Sequence, residues 1–336
     1  MNAVLVGLGG RAKSWAGVCS NNANVALVGY VEPVEEQRAK FADGLGLPKE
    51  QLYPSLTDAL RAVEAEFVID VTPPGAHEAV AMEAFGAGLH VLGEKPISDD
   101  FDAAKRIVAA SEKAGRTHMI TQNYRFGRVP RTGHRILEEG VIGEPGQVSI
   151  GFYKAWATRT GTHYTELPFM FVKDMGVHHF DLMRYVLDRD PVRLWAKTWN
   201  QSWGWHKGDA AHTTLFEFEG GLMVTHHACA CCVGKSSSWN GDWRIDGPEG
   251  SITWEEDKIF VTREYPADQK KREEIALDDV PGNGQEAILT EFLAAVAEGR
   301  EPECSGRDNL KSLAMTFATV KSAEEGRWVE MAEILG

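Results

Sequence analysis

The chain has 336 residues, 43% hydrophobic and 25% charged, with 35 basic against 49 acidic side chains and a net charge of -14. That length implies about two domains, each able to bury its own core. The acidic balance argues against a nucleic-acid or anionic-membrane surface and for a small-molecule ligand. No apolar run approaches the roughly 20 residues that span a bilayer, and the N-terminus passes straight into a strand, so a cytoplasmic location is expected. Five cysteines form an odd set without scaffold spacing and are read as reduced thiols. The run His226-His227-Ala228-Cys229-Ala230-Cys231-Cys232 has no CxxC pair and no second ligand cluster, so it is read as strand core and no metal is expected.

In chain order, Ala3–Val6 is a short apolar strand, followed by Gly7-Leu8-Gly9-Gly10-Arg11-Ala12 and a helix-compatible segment to Ser20. This is the alanine-ended G-x-G-x-x-A fingerprint. Its small residues permit a tight turn, the approach of a pyrophosphate and close helix packing, and the helix N-terminus faces the phosphates. A second apolar strand, Val25–Val31, delivers Glu32 twenty residues past Ala12. A carboxylate there accepts hydrogen bonds from the adenine ribose and repels a 2′-phosphate. NAD is therefore the expected cofactor, with NADP kept open by Arg11 and Arg38.

The alternation continues with helices over 34–45 and 56–63 and a buried strand over 67–71 that stops at Thr72-Pro73-Pro74-Gly75. A helix over 76–86 carries His77 in its first turn. The strand His90–Leu92 then runs into the turn Glu94-Lys95-Pro96, before a helix over 99–114 and a strand over 118–121. This pattern predicts an α/β Rossmann domain with a doubly wound parallel sheet over residues 1–122. Lys95 stands at the C-terminal end of a buried strand, where open α/β sheets bind ligands. The turn also admits a cis Lys95–Pro96 bond.

Beyond Gln122 the texture changes. A helix near 130–139, a strand over 147–153 and an irregular stretch with Trp156, His163 and Tyr164 precede Asp174-Met175-Gly176-Val177-His178-His179-Phe180-Asp181, which opens a helix to Leu187. Strands then follow one another from 192 to 263 without intervening helices, before two helices over 285–298 and 307–326. This predicts an α+β domain over 123–336 with an open, mainly antiparallel sheet. Trp195, Trp199, Trp203 and Trp205 with His206 are read as strand core and subunit interface ahead of a sugar-stacking surface.

Gly7-x-Gly9-x-x-Ala12, Thr72-Pro73-Pro74 with His77, Gly93-Glu94-Lys95-Pro96, Tyr124-Arg125-Phe126, Gly140-x-Ile142-Gly143-Glu144 and Asp174-x-Gly176-x-His178-x-x-Asp181 occur in that order. Together they resemble the glucose–fructose oxidoreductase/inositol dehydrogenase/rhizopine catabolism (Gfo/Idh/MocA) family. The segment Ser305-Gly306-Arg307-Asp308-Asn309-Leu310 is similar to that family's last-helix signature. The resemblance implies NAD(P)-dependent oxidation of a secondary hydroxyl of a sugar, glycoside or cyclitol, by a homodimer or homotetramer associating through the second domain. It places the family's catalytic lysine on Lys95, its aspartate on Asp174 and its histidine on His178.

Those roles make chemical sense, because alcohol oxidation needs a base with a pKa near the working pH. His178 is expected to be that base, Asp174 to orient or polarise the site, and Lys95 to donate to the reacting oxygen. Cofactor contacts are expected from Gly7, Leu8, Gly9, Gly10, Arg11, Glu32, Thr72, Pro73, His77, Glu94, Lys95 and Gln122. Substrate contacts are expected from Tyr124, Arg125, Trp156 and His163, with Asp181 capping or bracing its helix. Two other readings share these motifs: a cofactor-retaining sugar-transforming enzyme, and a dinucleotide-binding regulator, which has no need of a proton acceptor.

Overall fold

Strand and helix signals alternate through the first 120 residues, and the apolar strands they deliver assemble into one parallel sheet. In the computed structural model, which describes residues 1–156, 159–263, 272–282 and 284–336 apart from the side chain of His163, the chain divides into two units. They are Met1–Asn123 with Gly282–Leu310, and Tyr124–Pro281 with Lys311–Gly336.

The first unit runs β1 (Asn2–Val6), α1 (Ala12–Ser20), β2 (Ala26–Val31), α2 (Glu35–Leu45), β3 (Leu52–Tyr53), α3 (Leu56–Ala62), β4 (Phe67–Asp70), α4 (His77–Gly86), β5 (His90–Gly93), α5 (Phe101–Ala114) and β6 (His118–Ile120). Its strands lie in the order β3-β2-β1-β4-β5-β6, every pair parallel. Ala3, Val4 and Leu5 of β1 and Phe67, Val68 and Ile69 of β4 are wholly buried, as unbroken apolar runs in a sheet covered on both faces must be. The strand order reverses between β1 and β4, the switch point at which such sheets bind ligands.

The second unit contains α6 (Arg128–Glu138), β7 (Gln147–Tyr153), α7 (Val177–Leu187), β8 (Pro191–Trp199), β9 (Ala211–Phe218), β10 (Met223–Cys229), β11 (Asp242–Gly247), β12 (Gly250–Glu255), β13 (Lys258–Thr262), β14 (Glu273–Ile275) and β15 (Val329–Glu330). Its sheet is ordered β14-β13-β12-β11-β7-β10-β9-β8-β15. Two antiparallel meanders, β8 to β10 and β11 to β14, are joined by β7, which pairs parallel with β10 and antiparallel with β11. Alternate residues Val148, Ile150 and Phe152 of β7 are buried with Phe216 and Val224, and Phe180 of α7 meets Phe216 edge-on at 5.3 Å. Among the described residues no helix is long and apolar enough to cross a membrane.

His179 of α7, His212 of β9 and His226 of β10 form a cluster of three wholly buried histidines. His212 Nε2 is 3.0 Å from His226 Nδ1, and the His226 ring centroid is 5.1 Å from those of His179 and His212. Burial pushes His179 and His212 down to about 3, and His226 well below the usual histidine range. His227, on the opposite strand face, pairs with Thr213 Oγ1 at 2.8 Å. Cys229 and Cys231 are buried with Phe152, Met170 and Phe171, and the cysteines are free thiols.

One boundary differs from the sequence expectation of a second domain running unbroken over 123–336. Residues Gly282–Leu310 group with the first unit. Helix α8 (Gln285–Glu298) buries Ala287, Ile288, Leu289, Phe292 and Ala295, with Phe292 against Phe67 at 5.1 Å, and the Ile120 N–H donates to Cys304 O at 2.8 Å. An apolar helix face shows that a partner exists, and here the partner is the sheet begun nearly the whole chain earlier.

Candidate functional site

Of the candidate residues, those up to Gln122 belong to the first unit. β1 runs into Gly7 at φ +88, where a Cβ would stand 2.8 Å from Thr72 N and 2.9 Å from the Val71 carbonyl carbon. Only glycine fits, because its backbone runs against the end of β4. A Cβ at Gly9 would meet nothing nearer than the Gln37 side chain at 3.9 Å, and at Gly10 nothing within 4 Å. Beside them is a groove of about 570 Å³ lined by Leu8, Gly9, Gly10, Lys13, Val34 and Gln37 among others. Open glycine backbone, a groove and the start of α1 fit a dinucleotide pyrophosphate.

Glu32 follows β2 and is buried. One carboxylate oxygen accepts from Leu8 N–H at 3.1 Å and the other from Val34 N–H at 3.1 Å, so Glu32 ties the glycine loop to the head of α2. A carboxylate has roughly four acceptor positions, which leaves capacity for ribose hydroxyls. Arg38 donates to the carbonyl oxygen of Glu32.

β4 ends in buried Asp70, whose Oδ1 accepts from Thr72 N at 3.0 Å and Thr72 Oγ1 at 2.6 Å; burial raises its pKa, with His77 opposing. Thr72 is half-buried and Pro73 exposed. His77 is buried, with Nε2 2.8 Å from Thr72 O and Nδ1 3.0 Å from Pro96 O, so it braces the loop after β4 against the loop after β5.

Glu94 is likewise built into the scaffold. Its Oε1 accepts from Trp15 Nε1 at 2.9 Å and lies 3.4 Å from Arg11 Nε, while Oε2 accepts from Thr121 Oγ1 at 3.0 Å. The half-buried Lys95 follows, and the Lys95–Pro96 bond is cis. Gln122 is buried just past β6, its N–H donating to Ile120 O at 2.8 Å. Trp15, Asp70 and Thr121 were not expected; Trp15 and Thr121 reach Glu94 from distant segments, and Asp70 holds the local turn at Thr72.

In the second unit, a π-helical turn over Phe171–Gly176 carries Asp174 and leads directly into α7, whose second residue is His178. Residues four apart on a helix share a face, and π-turns recur at functional sites. His178 is 6% exposed, and its ring stacks on Tyr124 with centroids 4.5 Å apart and planes 7° apart. His179, the next residue, has Nε2 3.1 Å from Trp239 O and belongs to the buried histidine cluster.

Arg125, expected to touch substrate, is buried against Asp181: Nε donates to Oδ2 at 2.8 Å and Nη2 to Oδ1, while Ser312 Oγ donates to Oδ1 at 3.1 Å. Asp181 thus braces α7 through Arg125. Trp156 meets Phe171 edge-on at 5.4 Å and lies 5.9 Å from Tyr164 and 6.1 Å from Trp239, a residue the sequence did not single out. The side chain of His163 lies outside the described residues. In the tryptophan run, Trp199 and Trp205 pack on the Phe152 cluster and Trp203 is exposed, its Nε1 donating to Cys231 O at 3.0 Å.

Residues 1–122 match a family described as an oxidoreductase family with an NAD-binding Rossmann fold, and residues 130–253 match the GFO/IDH/MocA C-terminal domain. A D-apiose dehydrogenase from Paraburkholderia graminis is 29% identical over 301 residues, covering 87% of this chain and 80% of that protein. An inositol 2-dehydrogenase from Rhizobium meliloti is 25% identical over 336 residues, 98% of each. The crystal structure of an oxidoreductase from Agrobacterium radiobacter, in complex with NAD+, L-tartaric acid and magnesium, shares the fold with a TM-score of 0.88 over 99% of both chains at 22% identity. With the glycine loop and Glu32 in one matched region and the Asp174–His178 helix in the other, the chain belongs to the GFO/IDH/MocA family and is an NAD(P)-dependent dehydrogenase.

Proposed function

We propose that the protein oxidises a secondary hydroxyl of a sugar or related polyol, with His178 as proton acceptor, Asp174 as its partner and Lys95 as donor to the reacting oxygen. The observation that carries this reading is the buried His178 ring, held flat on Tyr124 one turn after Asp174. A fixed ring plane aims both nitrogens, which is what a general base requires. The relatives named for D-apiose and inositol support a polyol as the substrate class.

NAD, when bound, supplies the hydride acceptor. The chain's own residues do the rest. Loss of hydride and of the hydroxyl proton leaves a carbonyl; His178 takes the proton, and the adjacent Asp174 carboxylate steadies the imidazolium that forms. The Lys95 ammonium donates to the oxygen as negative charge builds there. The Gly7–Gly10 backbone holds the pyrophosphate, and Glu32 accepts from the adenine ribose, favouring NAD over NADP.

Absorbance of reduced nicotinamide, with either cofactor and a panel of aldoses, glycosides, inositols and sugar acids, tests the reading. It expects reduction with one polyol class and a preference for NAD. Tight NAD binding without reduction by any polyol refutes it in favour of a cofactor-retaining enzyme or a sensor.

A further inference from the structure

In the second unit an aromatic wall stands beside two cations, Arg159 and Lys154, that form no ion pair among the described residues. The Arg159 guanidinium lies over both Trp156 and Tyr164, 5.3 and 5.1 Å from their ring centroids. No carboxylate or carbonyl among the described residues takes up that guanidinium, in a chain with 49 acidic and 35 basic residues. Lys154, just after β7, sets Nζ 4.1 Å from the Trp239 centroid and donates to Ser237 O at 2.7 Å. Asp242 and Asp257 act on Lys154 from a distance without pairing with it, and Asp257 accepts from Asn240 at 2.8 Å.

The wall is fastened to the helical run that carries Asp174 and His178. Phe171, which opens the π-turn, meets Trp156 edge-on at 5.4 Å, and the Trp239 carbonyl oxygen lies 3.1 Å from His179 Nε2. The Arg159 segment holds itself, with Arg159 N donating to Trp156 O at 2.8 Å and Thr162 Oγ1 donating to Arg159 O at 2.6 Å. A guanidinium laid over aromatic faces is pre-organised, so it loses little freedom when its fork takes a planar carboxylate bidentately. Indole faces beside it suit the C–H face of a sugar-sized ring.

We infer that this wall selects a substrate bearing a carboxylate, a sugar acid or polyhydroxy acid. Arg159 takes the carboxylate, Lys154 adds a second positive charge, and Trp156 and Trp239 carry the carbon skeleton. The inference rests on the polyol-dehydrogenase reading and narrows its substrate. A neutral sugar would leave Arg159 to water and gain only the stacking.

The test is calorimetric titration of the full-length protein, with NADH present, with D-glucuronate, D-galacturonate and tartrate against D-glucose, D-galactose and glycerol. NAD reduction is assayed on the same compounds. The acids bind about tenfold to a hundredfold more tightly than the neutral compounds, the range a charge-assisted bidentate pair supplies. Arg159→Gln removes most of that preference, and Arg159→Lys, which keeps the charge without the fork, retains part of it. Equal affinity for acids and neutral sugars, or a preference that survives Arg159→Gln, overturns the inference. NAD reduction by neutral sugars alongside either result would leave the dehydrogenase reading standing. Acids that bind through Arg159, with no reduction by any acid or neutral compound, support the carboxylate contact and refute the dehydrogenase reading instead.

Discussion

The Arg125–Asp181 pair offers a sharp energetic test. Its side chains are 6% and 1% exposed, and the carboxylate holds Arg125 through both oxygens while also accepting from Ser312. Removing one partner of such a pair strands a buried charge and costs about 3–5 kcal/mol. Asp181→Ala should therefore consume a large part of the roughly 5–15 kcal/mol that stabilises a typical domain. Urea unfolding followed by circular dichroism reads the loss as a lower midpoint at unchanged slope. Replacing both partners, Arg125→Met with Asp181→Leu, should lose less than Asp181→Ala alone, because no charge is then left buried. An Asp181→Ala protein within about 1 kcal/mol of the parent would refute the bracing role, since even an ordinary hydrogen bond is worth about that much.

Other expectations follow from the same structure. Burial keeps His179 and His212 neutral in the fold down to about pH 3 and holds His226 well below the usual histidine range, whereas all three protonate near 6.5 when unfolded. The unfolded chain therefore binds more protons across that window, and stability is level above pH 6.5 and falls as pH drops towards 3, by up to about 1.4 kcal/mol per pH unit for each histidine. Equal unfolding midpoints at pH 7.5 and 5 would contradict this. Gly7→Ala should lose about 2–5 kcal/mol from the positive φ and overpacking against Thr72, together with NAD affinity, as thermal unfolding and NADH titration would show. Glu32→Ala should weaken NAD more than NADP in parallel titrations; an equal loss means the carboxylate does not read the ribose.

The glycine loop and the Asp174–His178 spacing were legible because each depends on residue type at short range. A strand running into Gly7 and a helix opening at Ala12 leave few alternatives. What the sequence hid is contact between distant segments. Arg125 reads as a candidate ligand group until Asp181, fifty-six positions later, is seen to take its fork. Glu94 and His77 carry the family pattern, yet their side chains are occupied by Trp15, Thr121 and backbone carbonyls. The π-turn at Phe171–Gly176 has no residue that demands it, and the parallel β7–β10 pair unites strands whose own patterns specify only a buried face. Arg159, an arginine among polar loop residues, looks solvated in the sequence; the rings beneath it, and the lack of a carboxylate partner among the described residues, distinguish it.

The most direct measurement of the central claim is single-turnover reduction of bound NAD by the polyol identified in the substrate panel, comparing the parent protein with His178→Asn while NADH affinity is titrated on both. If His178 is the proton acceptor, the rate falls about 10²–10⁴-fold, the usual worth of a general base, and NADH affinity is nearly unchanged. An unaltered rate with intact cofactor binding would remove His178 from the chemistry and contradict the account.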